Sequence, residues 1–364
     1  MDRFQSRRDK LRSRSKDVEV DALLVSAASN VCYLTGFSGD SSVLLVGHDR
    51  DVIISDGRFS TQLEQECPGL EAVIRLAGED MNPAVARVLK TLGLTRVGFE
   101  AAHLSVADHL ALVEAAPGAE LNGLTGHVEA LRQIKDDDEI AALREAIGFA
   151  ERAFELLRAG LRKDVTEKET ADTLEAYLRR CGATAASFPP IVAVGVNSAK
   201  PHARPSLTTR IGQDDFVLFD WGATGRPYKS DLTRVLVTGK VTPKFEAIYR
   251  TVLSALERGI AAIRPGVKAH DVDAEARSVI EEAGFGPFFD HGLGHGLGID
   301  IHEAPRIRKG SNVVLEPGMV FTVEPGIYLP DWGGIRIEDD VLVTPDGCEV
   351  LTRVPRSIDS VSLG

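Results

Sequence analysis

Four acids stand where strands are otherwise apolar. In FVLFD an unbroken apolar run ends in Asp220, and Asp231 follows 11 residues later in KSDLTR. In VFTVEP the run carries Glu324, and Glu338 follows 14 residues later in IRIEDD. A carboxylate at such a place is costly to bury unless it is paired or bound to a cation. Directly opposed residues of a hairpin have Cβ atoms only ~4.5–5.5 Å apart. Two such hairpins face to face would gather four repelling carboxylates, with something cationic among them. Histidines add nitrogen donors: His291, His295 and His302 lie in HGLGHGLGIDIHEAP, and His202 lies in NSAKPHARP. Carboxylates with one imidazole suit two hard or borderline divalent ions rather than a thiolate-preferring metal. Two ions ~3.5–4 Å apart generate a nucleophile from water and polarise a substrate oxygen. That is the chemistry of a dinuclear metallohydrolase. The pattern alone does not separate peptide from phosphoester bonds, although the acidic charge and the lack of a basic cluster near the acids lean against phosphate.

These residues need strands to carry them and helices to cover the strands. From about Val128 onward, Ile140, Leu143, Ile147, Ala150, Phe154 and Leu157 recur at helical spacing, predicting one long helix that ends near Gly160. Thr166 and Glu169 make a capping-box pattern for the next helix, closed near Gly182. A hairpin, Phe216–Asp220 with Asp231–Val237, follows the loop Ser187–His202. Thr242-Pro243 then reads as an N-cap with proline at the first helical position. A further helix from Asp271 to Gly284 leads to the second histidine-bearing loop, and a second hairpin pairs Met319–Tyr328 with Gly334–Val343. The repeated order of elements predicts a pseudo-two-fold in which two carboxylate-bearing hairpins face one another. Glycines 292, 294, 296 and 298 match no GxGxxG register, and their expected use is close backbone approach.

Residues 21–125 have another texture. Asp21–Ser26, Ser42–Val46, Val52–Ser55, Glu71–Leu76 and Arg96–Glu100 read as strands, with a hairpin turn at His48–Asp51 and helices near 60–66, 82–92 and 105–114. The expected domains are 1–127 and 128–364, with the Leu131–Ile140 stretch, which contains the run KDDDE, as the junction. The first residues form an amphipathic helix with a solvated basic face.

The 364 residues carry 42 Lys+Arg against 54 Asp+Glu, a net charge of −12. This length suits two domains, and the acidic balance argues against a nucleic-acid partner. No apolar run reaches the ~18 residues of a membrane span. Four cysteines without CxxC spacing indicate neither a disulfide framework nor a zinc–thiolate site. A soluble protein of a reducing, cytoplasmic compartment is the expectation.

PHARP, HGLGH, HEAP, VEPGIY and GIRIED together resemble the pita-bread metallopeptidases, the family of methionine aminopeptidase, prolidase and aminopeptidase P. Residues 1–127 resemble the creatinase-type amino-terminal domain, which points to the Xaa-Pro-cleaving branch. The fold implied is α/β (α+β), a creatinase-like domain followed by a pita-bread catalytic domain. The ligand set implied is Asp220, Asp231, His295, Glu324 and Glu338, with Asp231 and Glu338 bridging two ions. Mn²⁺ is the metal suggested, and Co²⁺ or Zn²⁺ would fit the same ligands. By the same resemblance Glu324 is the general base, His202 and His302 bind the substrate carbonyls, and His291 lines the proline pocket. Arg336 orients the acids, Tyr328 lies near the site, and a homodimer is implied. The stretches YLTGFSGDSS and SDGRFSTQ resemble aminopeptidase P, so peptides with proline second are the expected substrates. The alternative is a prolidase acting only on dipeptides, which needs a cation at the substrate carboxylate; Arg58 is the candidate for it. A non-catalytic binding module of the same fold is the remote rival, disfavoured because all five ligands are present.

Overall fold

The computed structural model describes residues 2–15 and 18–362. It divides into two compact units, Met1–Arg132 and Gln133–Gly364. The first is built on a six-stranded sheet of β1 (Ala22–Val25), β2 (Val43–Gly47), β3 (Asp51–Ser55), β4 (Glu71–Ile74), β5 (Arg96–Glu100) and β6 (Glu120–Leu124), in the order β4-β3-β2-β1-β5-β6. The pairs β1/β2 and β2/β3 are antiparallel and the others parallel. Helices α1 (Arg3–Arg14), α2 (Ala28–Thr35), α3 (Ser60–Glu66), α4 (Met81–Leu92), α5 (Val106–Ala115) and α6 (Glu129–Arg132) complete it. On α4 the buried residues Ala84, Val85, Val88 and Leu89 form one helical stripe, and Gly93 ends the helix at φ 66°.

Two elements of this unit escape the sequence pattern. The helix α2 is short and carries no side-chain cap, and β6 is an edge strand of mixed polarity. The basic face of α1 also differs from expectation. Arg7 and Arg8 are buried: Arg7 donates to the Tyr33 carbonyl (2.9 Å), and Arg8 to the Leu34 carbonyl (2.8 Å) and Asp51 (2.8 Å). The guanidiniums thus satisfy carbonyls at the C-terminal end of α2, where cations are favoured. The unit closes at Arg132 rather than near residue 127 because α6 is tied in by Asn30, which donates to Glu129 (2.8 Å) and accepts from Arg132 (2.7 Å).

Asp21 precedes β1 and accepts from the backbone N–H groups of Thr95 (3.0 Å) and Arg96 (2.8 Å). The bonds from Arg96 and Thr95 pull its carboxyl down to about 2. A depressed folded pKa contributes stability above the unfolded value and loses it as pH falls. The difference in denaturation midpoint between wild type and Asp21→Ala is therefore expected to narrow as pH falls from about 5 towards 2; an unchanged difference would refute the assignment.

The second unit opens with α7 (Asp137–Gly160) and α8 (Glu167–Arg180), both with complete capping boxes, at Asp136/Glu139 and Thr166/Glu169. The strands β7 (Ala185–Ala186), β8 (Ile191–Val194), β9 (Phe216–Trp221), β10 (Ala223–Thr224) and β11 (Leu232–Val237) form a two-stranded piece, β10-β7, and a three-stranded sheet, β11-β9-β8. Then come α9 (Pro243–Ala262), capped by Thr242 with proline in its first turn, and α10 (Ala269–Glu282). The strands β12 (Gly294–Gly296), β13 (Glu303–Ile307), β14 (Val320–Val323), β15 (Gly326–Leu329), β16 (Gly333–Arg336), β17 (Asp339–Thr344) and β18 (Gly347–Val350) follow. They make the five-stranded sheet β13-β12-β14-β17-β18 and the pair β15-β16. Phe216, Leu218, Val235, Tyr249, Val252, Val272, Ile280 and Phe321 share one core under these strands. Among the described residues no helix is long and apolar enough to cross a membrane.

Candidate metal centre

The first hairpin is anchored behind its acid. All six residues of β9 are buried. Trp221, next to Asp220, stacks on Phe154 of α7 at 4.2 Å between ring centroids and donates its indole N–H to the Ala150 carbonyl (3.0 Å). The ladder sets Asp220 across from Thr233. Asp231 lies two residues before Thr233, on the same face, and is diagonal to Asp220 rather than opposite it. The second hairpin is split where its acids sit. The β14/β17 ladder ends at Val323↔Asp339, and β15/β16 resumes at Gly326↔Arg336. Both ladders keep one register, which sets Glu324 across from Glu338 in the gap. Pro325 has no N–H to continue the ladder there.

His295 reaches the acids from the middle of β12. A Cβ at Gly294 would stand 1.8 Å from the Thr322 carbonyl oxygen, and one at Gly296 2.1 Å from that of Ala304. Only glycine allows the strand to come this close. One donor atom each from Asp231, His295 and Glu338 lies within 4.8 Å of the others. Nε2 of His295 is 3.4 Å from Glu324 and 3.6 Å from Asp231. Its Nδ1 is 3.1 Å from the Gly296 carbonyl. A carbonyl only accepts, so Nδ1 carries the hydrogen and Nε2 turns its lone pair towards the acids. Burial and the neighbouring His302 lower this imidazole to about 3, which keeps it neutral.

Burial raises the Asp220, Asp231 and Glu338 carboxyls above the usual range, and it pushes Glu324 up to about 7. At Asp231 and Glu338 the neighbouring carboxylates push in the same direction. Oδ1 of Asp220 is buried without a hydrogen-bond partner among the described residues. Crowded acids, a neutral imidazole aimed at them and an unpartnered oxygen fit hard or borderline divalent cations.

One buried cation, Arg336, already touches the cluster. It donates to Asp220, to the Thr233 hydroxyl (3.0 Å) and to the Tyr328 hydroxyl (2.8 Å). It also reaches the Pro201 carbonyl (3.4 Å), beside His202. Thr233 passes its own hydrogen to Glu338 (2.6 Å). Tyr328 lies 3.0 Å from Nε2 of His291, whose Nδ1 meets the Gly292 carbonyl at 2.8 Å. Burial and Arg336 lower His291 to about 4. His302 packs edge-on against His295 at 4.3 Å, and burial lowers its pKa as well. His202 lies near enough to Asp220, His291 and His302 to influence their charge. The structure thus brings together the five implied ligands with His202, His291, His302, Tyr328 and Arg336, while Arg58 is bonded to Asp56.

Other participants were missed. Thr322 donates to Glu324 (3.1 Å) and accepts from the His295 N–H (3.1 Å). Thr233 and Thr322 each lie two residues from an acid, in DLT and TVE, so the two-residue period of a strand was the available signal. Arg234 and Asp339 form a buried pair behind the site (2.7 Å). Asp340, fully buried, accepts from the Asp231 N–H (3.3 Å). Arg306, opposite His295 in the ladder, is exposed and has no side-chain hydrogen bond or ion pair among the described residues. No local pattern marked these four.

Residues 141–345 match the model of metallopeptidase family M24, and residues 7–134 match the creatinase/prolidase amino-terminal domain. An uncharacterized peptidase of Bacillus subtilis, YqhT, is 35% identical over 96% of this chain and 98% of its own. Among solved structures, an Xaa-Pro dipeptidase from Bacillus anthracis superposes with TM-score 0.93 at 39% identity, covering 97% of this chain and 99% of that one. An X-Pro aminopeptidase from Thermotoga maritima gives 0.87 at 35%, covering 95% and 99%. The chain belongs to metallopeptidase family M24 and carries that family's catalytic domain behind a creatinase/prolidase-type amino-terminal domain.

Proposed function

We propose that this peptidase cleaves Xaa-Pro bonds and that its preferred substrates are dipeptides. Asp220, Asp231, His295, Glu324 and Glu338 would hold two divalent ions, with Asp231 and Glu338 shared between them. Such ions lower the pKa of water and polarise the scissile carbonyl. A prolyl amide has no N–H, and its nitrogen must gain a proton to leave as a secondary amine. Glu324 would carry a proton from the attacking water to that nitrogen. His202 and His302 would donate to the substrate carbonyl oxygens as charge develops there. Arg336 and Thr233 hold Asp220 and Glu338 in place, as partners of metal ligands commonly do. His291, bonded to Tyr328, would line the proline pocket.

The single observation behind the dipeptide reading is Arg306. It is an exposed cation on β13 with no side-chain partner among the described residues, close enough to His295, His302 and Glu324 to influence each of them. A dipeptide presents its free carboxylate one residue beyond the scissile bond, and Arg is suited to bind it. Arg58, the earlier candidate, is already bonded to Asp56 (2.7 Å). The second reading, aminopeptidase P, is favoured by the YLTGFSGDSS and SDGRFSTQ stretches. Metal-reconstituted enzyme should cleave an Xaa-Pro dipeptide faster than its carboxamide or the matching tripeptide. Arg306→Ala should raise KM for the dipeptide by about 10–100-fold, the worth of a charge-assisted bond, and leave the carboxamide unaffected. Faster tripeptide cleavage with a neutral Arg306→Ala would make the enzyme an aminopeptidase P. Cleavage of none of them with Mn²⁺, Co²⁺ or Zn²⁺ would overturn the Xaa-Pro assignment.

A further inference from the structure

We propose that Lys135 and Glu303 are a positioning pair for His302, so that the charged run Lys135–Glu139 supports the reaction. This rests on the reading of His302 as a donor to the substrate carbonyl.

Glu303 follows His302 directly and turns its carboxylate inward, with its side chain 7% exposed. Oε1 accepts from the Asp300 N–H (3.0 Å), and Oε2 lies 3.4 Å from Nζ of Lys135, whose side chain is 1% exposed. Across the loop, a Cβ at Gly298 would stand 2.7 Å from both carboxylate oxygens. The carboxylate therefore ties the loop to Lys135 through the Asp300 N–H and lies close over Gly298, and His302 stands between Asp300 and Glu303 in the chain.

Lys135 is itself fixed to the strand leading to Glu324. Its N–H donates to the Gly318 carbonyl (2.9 Å), and Ile134 bridges Met319, just before β14. One turn later Glu139, also buried, accepts from the Tyr228 hydroxyl (2.8 Å), three residues before Asp231. The Lys229 N–H closes the circuit by donating to the Gly298 carbonyl (2.8 Å). The run thus holds both the loop that carries His302 and the loop that leads to Asp231.

A buried ion pair offers little stability over an apolar pair of the same volume. What it offers here is a fixed distance, and a displacement of about 1 Å in a catalytic group can cost roughly a hundredfold in rate. Two variants test this in the metal-loaded full chain with an Xaa-Pro dipeptide. Gly298→Ala keeps both charges but pushes on the flexible carboxylate. The double substitution Lys135→Met with Glu303→Gln removes both charges together, so no buried charge is left unmet.

Each variant is expected to lower kcat by about 30–100-fold with KM and metal content unchanged. In a His302→Ala background the same changes should lower kcat by less than about twofold, the mark of residues acting through one another. An additive loss in that background overturns the proposal. So does a lowered melting temperature with unchanged kcat, the result of a purely structural pair, or a His302→Ala enzyme with normal kcat. A wild-type enzyme that cleaves no Xaa-Pro substrate instead sinks the functional reading, which these outcomes leave distinguishable.

Discussion

Glu338→Gln is expected to lower kcat by at least about a thousandfold, roughly 4 kcal/mol of transition-state stabilisation. Glutamine keeps the shape of the side chain and can still accept from the Thr233 hydroxyl, which bonds Glu338 at 2.6 Å. What disappears is one negative charge in a buried cluster with Asp231 and His295. Without metal that charge is a liability, since burial and the carboxylates of Glu324 and Asp220 already disfavour it. The metal-free variant should therefore melt no lower than metal-free wild type. Wild type at about 100–1,000 times Kd of metal should gain about 3–4 kcal/mol of stability, a gain the variant should largely lose. Melting curves with and without Mn²⁺, beside activity assays, separate these effects. Near-normal turnover of Glu338→Gln in saturating metal would show that this carboxylate is not a ligand.

The second large effect is on stability. Arg234 is 1% exposed and pairs with Asp339, also 1% exposed, at 2.7 Å. The same guanidinium donates to the carbonyls of Thr233 (2.9 Å), Glu338 and Val354 (2.7 Å). It therefore ties β11 to β17 directly behind two residues of the centre. Arg234→Met leaves those carbonyls without this donor and leaves Asp339 with Thr352 and Arg356. Removing one partner of a buried pair costs about 3–5 kcal/mol. Adding Asp339→Asn should recover little of that loss, because Arg356 still meets the Asp339 carboxylate in the single variant. Chemical denaturation of the metal-free proteins measures both. A loss below about 1 kcal/mol for Arg234→Met, the scale of a surface pair, would mean that the bridge does not hold the two hairpins together.

Much of the candidate site was legible because acids at the ends of apolar strands are conspicuous. Asp220 in FVLFD and Glu324 in VFTVEP interrupt patterns that have no other reason to be interrupted. The helix starts were equally local: Thr166/Glu169 and Thr242-Pro243 are signals contained within a few residues, and they cap α8 and α9 as expected. The partner of Lys135 in the KDDDE run was not legible, for the opposite reason. Charge in a row looks solvated, yet Lys135 is buried against Glu303, 168 residues away in the chain. Arg7 and Arg8 looked like a solvated face in the same way.

By itself the sequence determined the kinds of donors, the strands that bear them and the caps that begin several helices. These follow from backbone preference and hydrophobic period, which act over a few residues. Only the tertiary structure decided that Thr233 bonds Glu338, that Arg336 bonds Asp220, that Asp231 sits diagonal to its hairpin partner and that Arg306 stands opposite His295. The first two contacts join residues more than a hundred positions apart, and their formation depends on how sheets pair and what they bury. A charge that a local pattern assigns to water is bound inside the fold wherever a distant residue of opposite charge is buried beside it.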